Sequence, residues 1–489
     1  MGKIVVIGGG FGGLSIAALL GKDGHNVTLI EKNNSLGGRA RVMKEMGFVY
    51  DMGPSWYLMP EVFERFFSLF NKKVSDFYEL KRLDPYYRIF FENEGYVDVY
   101  PDREKILELF RQFEENGDKK IESYLKNANY KYDIAMKNFL YRDFKNIFSF
   151  FNFRMLTEGL KLDVFKNLDK VISKYFTSHK SKKILEYEVV FLGNSPYNAP
   201  SLYSILSHVD LNLGVWYPMG GMGKIVDALE KLCKDNGVKI ITGEEVINFK
   251  YENNKISEVI TNGGNYKADY VISSADYAHT ELKILDDSHR TFDKKYWGKR
   301  VMAPSMFIIY LGVNKKLKNL KHHNLYFSRD WNKHFETIFE EPKYPDNPCF
   351  YISCPSYTDP SVAESDKENL FILVPVSCDI KDENVLREDY FDYLIKHIEN
   401  IIGENFKDDI IYKRIFSIND FANDYNAFKG TALGLAHTLF QTAVFRLPHK
   451  SKKVKNLYYT GHYTHPGVGV PMTLIASEIV YNEFKEIYG

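Results

Sequence analysis

Cysteine is scarce, with only Cys233, Cys349, Cys354 and Cys378 in 489 residues. They form no C-x-x-C pair and no zinc-ligand spacing, so neither a disulfide framework nor a thiolate metal site is expected. Scattered thiols of this kind fit a reducing cytosol and read as small buried hydrophobes. Charge of one sign is lacking too. Lys+Arg and Asp+Glu stand at 64 each, which argues against nucleic acid as a partner. No uninterrupted apolar run approaches the ~20 residues of a membrane-spanning helix, and no basic stretch leads into a signal-peptide core. Low-complexity linkers and internal repeats are also missing. These absences predict a cytoplasmic protein that is soluble or peripheral to a membrane.

Apolar residues make up 45% of the chain, enough for a substantial core. The length suits two or three domains or one elaborated fold. Aromatics are abundant, with 36 Phe and 35 Tyr, and an apolar ligand cavity would accommodate part of them.

The stretch "KIVVIGGG" has the β-branched pattern of a strand buried on both faces of a parallel sheet. Gly8, Gly10 and Gly13 then give G-x-G-x-x-G, "LSIAALLGKDG" continues as a helix, and "HNVTLIEKN" is a second strand ending at Glu31. Strand, glycine turn, helix, strand and acid at this spacing predict a dinucleotide site. Gly8 allows the tight turn, Gly10 lets the backbone approach a pyrophosphate, and Gly13 brings helix and strand together. The helix N-terminus faces the phosphates, and Glu31, with Lys32 beside it, is placed for the adenosine ribose. Gly37, Gly38 and Arg39 form a second backbone-exposing turn that carries a cation toward a long cofactor.

This "G-G-R" turn, followed by "D-x-G-P" at Asp51 to Pro54, resembles the flavoprotein superfamily of amine oxidases and carotenoid desaturases. The resemblance implies that the cofactor is FAD. Near the other end, "NLYYTGHYTHPGVGVPMTLIASE" resembles the C-terminal signature of bacterial-type phytoene desaturases and their relatives. "NLYYT" reads as a buried strand, and a helix is expected from Val470. The resemblance implies that Gly461, Gly469 and Val470 belong to the flavin-ring end of the site. A helix dipole there favours the negative charge of a reduced ring. "WYPMGGMGKIVDALEKLCKDNGVKIITGEEVINF" is similar to the family's middle segment, which implies a backbone contact from Val246 to the adenine end. His462 and Tyr463 depart from the family pattern, which has small residues after the glycine. Bulk beside the ring is the expected consequence. His465 is a candidate for positioning the flavin, with general base as the sharper alternative; no other catalytic residue and no metal ligand set is assigned.

The expected fold class is α/β, with a discontinuous Rossmann-type FAD-binding domain, a mixed-sheet substrate domain and a helical insertion. Residues 1–75, 205–285 and 451–489 are assigned to FAD binding, 76–101 and 286–450 to substrate, and 102–204 to the insertion. Runs such as "SMFIIYLGV", "CFYISC" and "LFILVPV" read as strands of a second sheet that walls an elongated apolar cavity or simply builds a second core. Within the insertion, Phe139 to Met155 mixes phenylalanines with Arg142, Lys145 and Arg154. Such a segment suits a bilayer interface, and it equally suits an ordinary core-facing helix with a solvated edge. The resemblance implies an FAD-dependent carotenoid desaturase, with a carotene or other polyisoprenoid as substrate, a membrane surface as partner, and a quinone or oxygen as electron acceptor. A carotenoid cis–trans isomerase using reduced FAD is the enzyme alternative, and a carotene-binding or chaperone protein is the non-enzyme one.

Overall fold

The computed structural model describes residues 2–142 and 166–488. The strand β1 (Lys3–Ile7) lies at the centre of a five-stranded sheet. Across that sheet the order is Leu457–Tyr459, Tyr270–Ser273, β1, β2 (Asn26–Glu31) and Lys239–Thr242, and every neighbouring pair is parallel. Its strands therefore come from the beginning, the middle and the end of the chain. β1 and β2 are rich in β-branched residues and, apart from the half-buried Thr28, buried after their first residues, as a sheet covered on both faces requires.

The helix α1 (Phe11–Lys22) is buried from Phe11 to Gly21, so it has no solvent face. Gly12, Gly13, Ser15, Ala17 and Ala18 keep it thin enough to fit between the sheet and two further helices, Gly223–Asp235 and Val470–Tyr488. Leu14, Ile16, Leu19 and Leu20 are completely buried there, and each such side chain contributes roughly 1.5–3 kcal/mol.

A second sheet has seven strands, in the order Ile410–Phe416, Ser305–Val313, Glu368–Val376, Phe350–Ser353, His323–Phe327, Tyr87–Phe91 and Gly95–Val99. Its pairs are antiparallel except for His323–Phe327 with Tyr87–Phe91. One face packs under the helix Asn384–Ile402. The other shares a core with the helical stretch that includes Arg103–Phe113 and Gly117–Ala135. A three-stranded antiparallel sheet, Val246–Glu252, Lys255–Thr261 and Asn265–Lys267, and two two-stranded sheets are the remaining sheets among the described residues. The aromatic and basic segment expected at a membrane is described only as far as Arg142; Phe148, Phe150, Phe151 and the rest of it lie outside the described residues. Among the described residues, no helix is long and apolar enough to cross a membrane.

His334 stitches the second sheet to the short helix Asn332–Phe339. Its Nδ1 accepts the Cys349 amide proton at 3.0 Å, and its Nε2 donates to the Pro375 carbonyl at 2.8 Å. Those partners fix the neutral tautomer, and burial pushes its pKa down from 6.5 to about 4. The unfolded chain takes up a proton below 6.5 that the folded chain refuses until about 4. Stability from this group is thus intact at neutral pH and falls as the pH drops through that window, by roughly 3 kcal/mol in all. Urea titrations of wild type and His334→Gln at pH 7 and pH 5 check this. The variant is expected to be less stable at pH 7 and to lose less on acidification.

Candidate functional site

β1 ends at Ile7, and the chain turns at Gly8, which has φ +94°, before α1 begins at Phe11. A Cβ on Gly13 would lie 1.8 Å from the Gly8 carbonyl oxygen, so only glycine lets helix and strand approach this closely. Gly10 differs. A Cβ there would meet nothing nearer than Gly38 Cα at 3.9 Å, and the residue faces a cavity. α1 has no side-chain cap at Gly10, so its first-turn amides lack intrahelical partners beside that cavity.

Glu31 ends β2 and is only 5% exposed. The Gly9 amide donates to Oε2 at 2.6 Å and the Asn33 amide to Oε1 at 2.8 Å. Both oxygens are thereby fixed in place, and each keeps lone pairs for a ligand.

The cavity has a volume of about 970 Å³. Its wall joins Gly8, Gly10, Glu31, Lys32, Gly38, Arg39 and Val246 to Gly461, His465, Gly469 and Val470. Gly13 stands behind this wall and acts through packing alone. The C-terminal helix meets the cavity with its first residues, Val470 to Thr473. Beyond them the wall becomes apolar, with Tyr187, Leu192, Leu202, Leu206, Met306, Ile308 and Leu373.

Several side chains also make structural contacts that their motifs do not announce. The Lys32 ammonium donates to the Asn423 carbonyl at 2.6 Å and to Asn426 Oδ1 at 2.9 Å, so it anchors a loop of the cavity wall. Asp51 accepts the amides of Met222 and Gly223 at 2.7 and 3.0 Å and so caps the helix Gly223–Asp235 from outside. Burial pushes its carboxyl up to about 6, against the pull of those two amides. That anchor also fixes Gly53 and Pro54 in the cavity wall. Tyr463 turns away: its hydroxyl donates to Asp276 Oδ2 at 2.7 Å and its ring packs near Trp297 and Tyr277. Of the two bulky departures after Gly461, only His462 places its bulk at the cavity.

His465 makes a hydrogen bond of 3.1 Å between Nε2 and the Phe139 carbonyl, which ties the C-terminal glycine turn to the helical stretch. Burial lowers its pKa to about 4, so the ring is neutral at pH 7. Trp56, Tyr203 and His437 also line the cavity and carry no motif of their own. The Val468 amide donates to His437 Nε2 at 3.2 Å, leaving Nδ1 with the proton beside the Tyr203 hydroxyl.

The residues present fit a long anionic dinucleotide with an aromatic ring system. Arg39 Nε and His462 Nε2 are buried on this wall without a hydrogen-bond partner. Two helix N-termini converge on the same space, and Gly10 leaves room where a pyrophosphate would approach.

The family model for flavin containing amine oxidoreductase matches residues 11–478. The chain belongs to that family. It is 42% identical over 476 residues to a carotenoid 3,4-desaturase of Haloarcula japonica, covering 97% of this chain and 96% of the relative. It is 32% identical over 499 residues to a 4,4'-diapophytoene desaturase (4,4'-diaponeurosporene-forming) of Staphylococcus haemolyticus, covering 99% and 98%. Among solved structures, an oxidoreductase from Methanosarcina mazei shares the fold with a TM-score of 0.65 at 18% identity, covering 98% of this chain and 100% of that one. The chain is an FAD-dependent oxidoreductase with the mixed α/β fold of its family.

Gly10 and Glu31 separate folding from cofactor binding. Gly10 has φ −79° and ψ −176°, open to any residue, and a Cβ there meets no close neighbour. Gly10→Val is therefore expected to keep the melting temperature of the apoprotein while weakening FAD retention about tenfold or more by steric block. Glu31→Gln should weaken it through loss of charge-assisted bonds. Flavin absorbance after gel filtration measures both, and stoichiometric FAD in both variants would refute this placement.

Proposed function

We propose that this protein is an FAD-dependent carotenoid desaturase that extends a polyene by removing a hydride and a proton from neighbouring carbons. The observation that carries the reading is the single cavity that joins a dinucleotide groove to an apolar limb. The long relatives named as carotenoid and diapophytoene desaturases support it. When bound, FAD supplies the hydride acceptor.

The chain's own residues bind, orient and exclude water. Glu31 and the α1 N-terminus hold the adenosine and pyrophosphate end, and Val246 closes the adenine side. Arg39, the turn from Gly461 to Gly469 and the helix from Val470 frame the ring, where the helix N-terminus favours added negative charge. His465 keeps that turn in register through the Phe139 carbonyl and, being neutral, adds no charge of its own. The limb through Leu192, Leu206, Met306 and Leu373 takes the hydrocarbon chain and keeps it at a fixed height against the ring. Residues 1–75, 205–285 and 451–489 serve the cofactor in this scheme and the remainder serves the substrate.

A hydrocarbon substrate reaches such a limb from lipid. Phe440 and Phe445 line the cavity yet are 72% and 44% exposed, with ring centroids 5.9 Å apart. They mark the mouth and suit contact with acyl chains in a protein held peripherally at a membrane surface. Electrons then pass to a quinone or oxygen.

Expression in cells that make a known colourless carotene tests the activity. New long-wavelength absorbance in the extracted pigment is expected; a changed isomer profile alone would mean an isomerase, and purified protein without flavin absorbance would mean a carotene carrier. Flotation with anionic liposomes tests the mouth. The wild type is expected to float and Phe440→Ser/Phe445→Ser to float markedly less, whereas equal flotation of both would put the membrane contact elsewhere.

A further inference from the structure

Glu188 is buried in the wall of the apolar limb, where a hydrocarbon offers it no partner, and a second buried carboxyl, Asp210, stands behind that wall. Glu188 lines the cavity and is 7% exposed, while Asp210, at 1%, lies close enough to act on it electrostatically. Glu188 belongs to the short helical turn Tyr187–Leu192, and Asp210 to the π-helical turn Val209–Leu213. Turns of the latter type recur at functional sites. Tyr87 donates its hydroxyl to Asp210 Oδ2 at 2.5 Å, and Tyr187 donates to the same oxygen at 3.4 Å. Asp210 Oδ1 is buried with no hydrogen-bond partner. Among the described residues, no cation figures among the groups that act on either carboxyl.

With no described cation beside them, two buried carboxyls in each other's field resist ionising together, so at neutral pH they hold one proton and one charge between them. The two phenol donors assign the charge to Asp210 and the proton to Glu188. Burial, followed by Asp210, holds Glu188 well above the carboxylate range. Burial raises Asp210 to about 7, against the pull of the two phenols. Such a pair is costly to bury, and nothing in the packing of a hydrocarbon tunnel calls for it. Its surroundings are aromatic: Trp56, also on the cavity wall, has its ring 5.4 Å from Tyr87 and 6.2 Å from Tyr187. Ring faces of this kind favour positive charge developing on a substrate.

Resting on the desaturase reading, we propose that Glu188, backed by Asp210, takes the proton that leaves the substrate as the new double bond forms. One C–H bond breaks and its electron pair leaves with the hydrogen to the oxidised flavin, the two-electron oxidant. The C–H bond on the adjacent carbon then breaks and leaves its pair as the new carbon–carbon π bond. That proton arrives on a Glu188 oxygen while the proton already there passes to Asp210. The carboxyl pair thus goes from one proton to two, and the extra proton is consumed when the terminal acceptor is reduced.

The proton-accepting state needs Asp210 ionised. Turnover should therefore rise with pH through about 7, and Asp210→Asn should abolish that limb. Among the described residues, the other titratable groups facing the pair are the phenols of Tyr86, Tyr87, Tyr124 and Tyr187, with Arg82 acting on Tyr86. Their pKa values are all raised, so they stay protonated across this range.

The test compares wild type, Glu188→Gln and Glu188→Asp as FAD-loaded proteins, with infrared spectra of the apoproteins near pH 6. Glu188→Gln is expected to lose about 100-fold or more in kcat, with KM and FAD content within about twofold, while Glu188→Asp recovers part of the rate. The apoprotein spectrum of the wild type should show a protonated buried carboxyl band that Glu188→Gln lacks. Wild-type turnover in Glu188→Gln, loss of FAD or a matching rise in KM, or absence of that band would each overturn the proposal. If the wild type itself makes no longer chromophore from any carotene, the desaturase reading fails, and the infrared band still reports whether the shared-proton pair exists.

Discussion

The approach of α1 to β1 at Gly13 and Gly8 is the constraint on which the site depends. With the helix drawn that close, its first turn opens beside Gly10 onto the end of β1 rather than onto solvent. The same thinness lets the C-terminal helix lie against α1, where Ser477 Oγ donates to the Gly12 carbonyl at 3.0 Å. A Cβ on Gly12 would fall 2.8 Å from Ser274 Oγ and 3.2 Å from a Thr473 methyl, so this contact also tolerates no added atom. Two helix N-termini from opposite ends of the chain thereby meet one cavity. The parallel order of the central sheet makes this possible, because the ends of β1, β2 and the strand Leu457–Tyr459 that lead into the glycine turns and Glu31 all lie on one side of it.

Much of this was legible in the sequence because it is local. Gly8, Gly10, Gly13 and Glu31 fall within one strand–turn–helix–strand unit, so their spacing alone sets their roles. The strand at "NLYYT" and the helix from Val470 were legible for the same reason, since burial patterns and glycine punctuation act over a few residues. Val246 and the FAD identity came only through resemblance; an ordinary strand start carries no signal for adenine.

What escaped was set by tertiary neighbours. Asp51 looked like part of a cofactor motif, and its carboxylate instead caps a helix 171 residues further along the chain. Lys32 lines the cavity beside the ribose acid, and its further bonds to a loop near Asn423 and Asn426 had no local signal. The bulk of Tyr463 was expected at the ring, yet a hydrogen bond to Asp276 and a pocket of aromatic rings draw it into the core. Glu188 and Asp210 belong to no motif and stand 22 residues apart, a separation at which no periodicity relates them. Only the folded helical stretch brings them together.

The distribution of charge along the cavity follows a single logic once those pieces are placed. At the cofactor end the fixed fields are positive: the α1 N-terminus toward the pyrophosphate, and the C-terminal helix N-terminus and Arg39 toward the ring. Arg446 adds a further buried cation through its 2.6 Å bond to the His462 carbonyl. Burial keeps His437, His462 and His465 neutral, so none of them competes for a proton there. The limb has the opposite character, an apolar wall interrupted by Glu188, with Asp210 behind it and aromatic rings alongside. Removing two hydrogens from adjacent carbons as a hydride and a proton separates charge across a few ångströms, and in a dry cavity that separation is costly unless the surroundings already carry the complementary field. A positive field where electrons arrive and a negative one where the proton arrives is that complement, and the fold fixes both before any substrate enters.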